Sequence, residues 1–221
     1  MTLSTISEGS VYLLPDFLFR ETIASKLTVA GEQSFPALYS SLALFFCSCL
    51  LWIITQYKKK LRDKYILSWK TLSYIFCYLA LDELLSFHET LTIPFQKLGF
   101  DGILHYAWVV PGIIGVVIFC LAFYRFFQHL PRYMKRLLLL AFSIFIGGAI
   151  FTEILGGYYQ YLYGRENLTY FLIATVEESM EMIGILIFIH ALLTYIEKIG
   201  INKVNFLLNV SQSSSTNYQL K

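Results

Sequence analysis

Seven carboxylates sit in stretches of this chain that are otherwise apolar: Asp82, Glu83, Glu89, Glu153, Glu177, Glu178 and Glu181. Two histidines, His88 and His105, accompany them. Carboxylates and imidazoles move protons in general acid–base chemistry, and both bind metal ions. An ionised carboxylate at the centre of a bilayer costs roughly 2.5–3.5 kcal/mol on insertion scales. Seven of the fifteen acids so placed therefore demand compensation. No Lys or Arg lies inside these stretches except at an end, so basic side chains are not expected to supply it. The acids must be protonated, bound to a cation, or open to a water-filled cavity. An oxygen-rich donor set favours a hard or borderline divalent cation (iron, manganese, magnesium or calcium) over copper or a zinc–thiolate site.

Spacing predicts which of these groups share a face. On one continuous helix, Asp82, Ser86 and Glu89 form a stripe with Glu83 on its flank, and His88 points about 120° away from Asp82. Glu177 and Glu181 stack at i, i+4, and Glu178 pairs with Glu181 at i, i+3. Tyr170, Ala174 and Gly184 fall on the same face as these acids. Gly147-Gly148-Ala149 and Gly156-Gly157 flank Glu153, and such small residues let membrane helices approach closely. Tyr78 is expected to be buried and able to donate to the carboxylates. His129, in a loop, and His190, near a helix end, are not expected to take part.

The elements that carry these residues are membrane spans. Of 221 residues, 57% are hydrophobic and 14% are charged, against about 25% charged in a soluble domain. The mean hydropathy is +0.60. A net charge of +2 gives no expectation of a nucleic-acid partner. Five stretches approach the ~20 apolar residues that a spanning helix needs: Phe35–Gln56, Thr71–Thr90, His105–Phe127, Leu137–Tyr158 and Thr169–Tyr195. The expected fold is all-α, an integral membrane bundle of five transmembrane helices. Residues 35–197 form this domain. Residues 1–34 precede it, with no cleavable signal and a short interfacial helix at Asp16–Ala30. Residues 198–221 form a polar, disordered tail. Thirteen of the seventeen basic residues fall in the connections after the first and third spans and after the fifth. That asymmetry predicts an N-terminus outside the cell membrane and a C-terminus in the cytoplasm. All seven acids, with His88 and His105, then occupy the outer half of the bilayer. Cys47, Cys49, Cys77 and Cys120 lie in apolar segments without zinc or redox spacing and are expected to pack as small apolar groups. Asn167-Leu168-Thr169 matches a glycosylation acceptor, and Tyr158, Tyr159, Tyr161 and Tyr163 read as an interfacial belt.

The strings Leu81-Asp82-Glu83-Leu84-Leu85-Ser86-Phe87-His88-Glu89 and Glu177-Glu178-Ser179-Met180-Glu181-Met182-Ile183-Gly184 carry a resemblance. Together they resemble the paired signatures of an uncharacterised family of small bacterial multi-pass membrane proteins, which implies a shared site in a bacterial inner membrane or its equivalent. The donor set is also similar to that of carboxylate-bridged dimetal bundles. The Glu-x-x-His string of those bundles is absent, however, as is the His-x-x-x-His of intramembrane zinc hydrolases. The expected function is a metal-dependent membrane enzyme acting on a lipid or another apolar substrate. A proton- or cation-coupled transporter and a structural or assembly subunit are the alternatives.

Overall fold

The computed structural model describes residues 35–90, 102–164 and 167–199. The expected interfacial helix at 16–30 lies outside the described residues, and so does the tail from residue 200 onward. Among the described residues every regular element is helical. In chain order these are α1 (Phe35–Lys60), α2 (Ile66–Leu85), α3 (Phe87–Thr90), a 3-10 turn (Gly102–Leu104) and α4 (Val109–His129). They are followed by α5 (Arg132–Ile146), a π-helical turn (Gly147–Thr152), α6 (Glu153–Tyr163) and α7 (Leu168–Lys198). The α5–π–α6 stretch is one continuous rod, Arg132–Tyr163.

Four rods are long and apolar enough to cross a membrane: Ala37–Lys60, Val109–His129, Arg132–Tyr163 and Leu168–Lys198. The 20-residue α2 does not join them, because it carries Lys70, Asp82 and Glu83. Two expected boundaries also move. The second expected span is broken at Ser86, where the backbone turns left-handed with φ 50° and ψ 42°. The third begins at Val109 rather than His105, after a turn that leaves His105 outside the helix.

The helices pack through small polar residues and aromatic rings. α1 and α2 run antiparallel and are pinned crosswise. Ser41 Oγ donates to the Ala80 carbonyl at 2.7 Å, Ser48 Oγ to the Ser73 carbonyl at 2.8 Å, and Ser73 Oγ back to the Ser48 carbonyl at 2.9 Å. Without water to compete, such bonds take over part of the role that apolar burial has in soluble bundles. At one end of the molecule Trp69, only 2% exposed, stacks on Tyr195 and meets Phe126 edge-on. Tyr57 donates to the Ile199 carbonyl at 2.9 Å, which ties the end of α7 to α1. The basic ends gather here as well, with Lys58 bonded to Asp63 at 2.9 Å and Lys198 lying 3.7 Å over the Tyr133 ring. Burial works against ionisation of Asp63, but the Tyr65 backbone N–H and the Lys58 ammonium outweigh it and hold the carboxyl below its ordinary range.

α7 lies closest to α5 where glycines remove side chains from the contact. A Cβ on Gly184 would stand 2.8 Å from Phe145 Cβ and 3.0 Å from both the Ala141 carbonyl oxygen and the Phe145 nitrogen. One on Gly148 would stand 3.0 Å from the Glu177 carbonyl oxygen and 3.1 Å from Glu181 Cγ. The second contact sets the glycine pair of the π turn directly against the acids of α7. The cysteines are free: Cys47 is buried and Cys77 half-buried, whereas Cys49 and Cys120 are exposed on the helix surface rather than packed inside.

Candidate functional site

Three helices bring five carboxylates together. Glu83 stands 17 residues into α2, about 25 Å along its axis. Glu177, Glu178 and Glu181 occupy the outer-facing half of α7 in the expected topology, and Glu153 opens α6. One oxygen each from Glu83, Glu178 and Glu181 lie within 4.8 Å of one another. Glu178 Oε2 is buried and has no hydrogen-bond partner among the described residues. Glu177 is within hydrogen-bonding reach of Glu153, and Glu153 interacts electrostatically with Glu178 and Glu181 as well. The arrangement is thus a triad (Glu83, Glu178, Glu181) beside a pair (Glu153, Glu177).

The π turn bears on this placement. A π turn adds a residue to a helical repeat, so it shifts the phase of everything that follows, and such turns occur frequently at functional sites. Here it immediately precedes Glu153, whose Oε1 accepts a hydrogen bond from Trp108 Nε1 at 3.0 Å.

His88 is where the structure departs most from the helical-wheel expectation. The left-handed Ser86 interrupts the helix, and the chain folds back over α2. Asp82 Oδ1 then accepts the His88 backbone N–H at 3.0 Å, and Asp82 Oδ2 lies 2.8 Å from His88 Nδ1. The expected angle of about 120° between Asp82 and His88 assumed an unbroken helix, and the break removes it. His88 is also an electrostatic neighbour of Glu83 and Glu178, so this candidate imidazole lies beside the acids although no Lys or Arg was expected there. Its ring centroid is 4.7 Å from that of Trp108, whose indole binds Glu153. A carboxylate bonded to one imidazole nitrogen fixes the ring and its tautomer, as in many metal and catalytic sites.

His105 is placed elsewhere. Its Nε2 lies 3.4 Å from Gln160 Nε2 and its ring is tilted against those of Tyr106 and Tyr161. Tyr106 donates to Gln160 Oε1 and pairs with the Tyr170 hydroxyl at 2.8 Å, so His105 belongs to a polar knot joining the 105–108 turn to α6 and α7. The side chain of Glu89 lies outside the described residues. Tyr78 is 57% exposed, not buried as expected. Asn167 caps α7, its side chain accepting from the Tyr170 N–H at 2.9 Å and donating to the Gly164 carbonyl at 2.8 Å. The amide of the expected glycosylation acceptor is thereby engaged in the helix cap.

Trp108, Gln160 and Tyr106 are absent from the expected site residues. Trp108 and Gln160 carry polar groups within apolar surroundings, and that was the available signal. Neither has the charge that makes an intramembrane acid conspicuous.

No curated protein and no solved structure matches this chain. The sequence profile of a family described as Domain of unknown function (DUF8692) matches residues 10–196. That match takes in every element from α1 to α6 and nearly all of α7, and the chain belongs to the DUF8692 family.

Proposed function

We propose that the chain is a five-span protein of a bacterial inner membrane or its equivalent, with α2 as the additional span, the N-terminus outside and the C-terminus in the cytoplasm. Its carboxylate triad is proposed as a divalent-cation site serving a membrane enzyme that acts on a lipid or another apolar substrate. One observation carries this reading: Glu83, Glu178 and Glu181 offer three oxygens within 4.8 Å, while Glu178 Oε2 is buried without a hydrogen-bond partner among the described residues. Oxygens bound to one hard cation at about 2.0–2.6 Å stand no more than roughly 4–5 Å apart, so the donor set fits iron, manganese, magnesium or calcium. Such an ion would supply Lewis acidity toward a coordinated oxygen. The chain's own groups supply the rest. Glu83, Glu178 and Glu181 hold the charge, Glu153 and Glu177 hold a proton between them beside Trp108, and Asp82 orients His88 as a base. The strings that contain these residues are proposed as the family's signatures.

A second reading is favoured by a different observation. Regular helix is interrupted beside the carboxylates twice, at Ser86 and over Gly147–Thr152. Discontinuous helices at mid-membrane ion sites are characteristic of secondary transporters, so proton- or cation-coupled transport is the alternative.

Elemental analysis of protein purified without added metal tests the first reading, with Glu181→Gln alongside. The expected result is a retained divalent cation in the wild type, lost in the variant, with chelator and substitution each lowering thermal stability. Metal-free wild type that unfolds at the same temperature as Glu181→Gln refutes the metal site and leaves proton coupling as the better account, because Gln preserves shape and a donor.

A further inference from the structure

Away from the carboxylates, α1 and α2 border an open apolar groove of about 380 Å³ between Cys49, Trp52 and Ile53 on one side and Tyr74 and Cys77 on the other. Its floor is the Ser48–Ser73 crossing, where each hydroxyl donates to the opposite carbonyl. Both hydroxyl hydrogens are therefore committed, and the floor offers no donor to a polar guest. Small Ser and Cys side chains leave the space, and large rings border it, with the Trp52 and Tyr74 centroids 6.1 Å apart and the two rings thus in contact. Such a trough excludes a headgroup and admits a hydrocarbon chain.

The groove points toward the basic end of the molecule. Lys70 is one turn from Tyr74 on the same face of α2, and its ammonium lies 5.7 Å from the Tyr74 ring centroid. Lys59 follows Trp52 by two helical turns and so shares its face of α1. Asp63, the acid of the connecting loop, is bonded to Lys58 and does not offset these two lysines. Glu83 is thirteen residues from Lys70, about 20 Å along α2. The groove and its lysines are therefore separate from the carboxylate triad.

We infer that this groove is a binding site for an anionic phospholipid, with one acyl chain lying over Cys49 and Cys77 against the Trp52–Tyr74 pair and the phosphate held at Lys59 and Lys70. Both halves of the site are needed to select this occupant. A zwitterionic lipid supplies the chain without the net charge, and inorganic phosphate supplies the charge without the chain. Basic clusters at the ends of membrane helices recognise anionic headgroups by this combination.

Trp52 reports on the site, because it lines the groove and is 41% exposed, whereas Trp69 is buried. The protein is reconstituted in phosphatidylcholine vesicles containing a minor share of phosphatidylglycerol. Bromine is placed on the acyl chains of one lipid or the other, and tryptophan quenching is followed as the brominated share rises. Brominated phosphatidylglycerol is expected to quench at far lower content than brominated phosphatidylcholine, and Trp52→Phe should abolish the difference. Each lysine contributes roughly a fivefold preference, so a Lys59→Ala, Lys70→Ala double variant should need on the order of twenty-five-fold more anionic lipid. Cys49→Phe fills the groove and should remove the preference with both lysines intact. Equal quenching by the two lipids overturns the proposal. A preference that survives the lysine double variant, or one that survives Cys49→Phe, overturns it equally.

Discussion

Alanine at Gly184 and alanine at Gly115 are the same chemical change with opposite expected outcomes. In both helices, replacing Gly by Ala removes unfolded-state freedom and is worth about 0.5–1 kcal/mol. A Cβ at Gly115 meets nothing within 4 Å, so that gain stands alone. At Gly184 the new carbon lies 2.8 Å from Phe145 Cβ and 3.0 Å from the Ala141 oxygen and Phe145 nitrogen. Two of those three atoms are backbone, and no rotamer change moves them. α5 and α7 must part, and overpacking of this kind costs about 1–3 kcal/mol. The net expectation is a loss of about 1–2 kcal/mol for Gly184→Ala and a gain of up to about 1 kcal/mol for Gly115→Ala. Reversible unfolding of the purified proteins in one detergent, followed by circular dichroism, measures both. Gly184→Ala at or above wild-type stability would refute the close α5–α7 crossing. Gly148→Ala adds a third arm: its Cβ would press on the Glu177 carbonyl and on Glu181, so cation content should fall together with stability.

Ser86 holds a left-handed backbone, so the expected order of stability at this position is Gly equal to or above Ser, with Val about 1 kcal/mol or more below. Equal thermal unfolding of Ser86→Val and wild type would show that the helix runs on unbroken to His88. The lowered Asp63 carboxyl stabilises the fold above its unfolded-state value, and that contribution is lost as pH falls through the folded one. In a solvent-screened loop it amounts to at most about 1 kcal/mol, so Asp63→Asn should flatten the acid limb of a stability–pH curve without altering the neutral plateau by more. Reporter fusions after Lys60 and after Lys198 should both read cytoplasmic and one after Gly99 should not; the same reading from all three defeats the proposed orientation.

Composition and length made the rods legible. The four apolar spans follow from runs of Leu, Ile, Phe and Val bounded by Lys clusters, Pro131 and Gly164, with ends displaced by a few residues. The grouping of acids at one depth was also legible, because depth depends only on the residue count from a span's end. Direction around the axis was not. It requires an unbroken helix, and Ser86 and the Gly147–Thr152 turn break the phase without proline or another strong signal. His88 was misdirected for that reason, and His105 because Val109, not the histidine, begins the regular helix. The knot of Tyr106, Gln160 and Tyr170 was faint for a simpler reason. It is made of neutral groups, and the polar side chain of Gln160 in apolar surroundings was its one mark.

The π turn also fixes what kinds of sequence drift this helix can accept. A π turn is equivalent to a one-residue insertion held within a regular rod. Deleting one residue there would let the backbone relax to ordinary α geometry, and the residues beyond would keep close to their present angle and height, because the wide turn already absorbs its extra residue. Glu153 would keep Trp108 and Glu177, and Gly157 would keep the Tyr106 ring against which it lies. A one-residue deletion elsewhere between α5 and α6, with the π turn retained, would instead swing everything beyond it by roughly 100° about the axis. Within Gly147–Thr152 the rod is forgiving of a lost residue; along the rest of its length it is not.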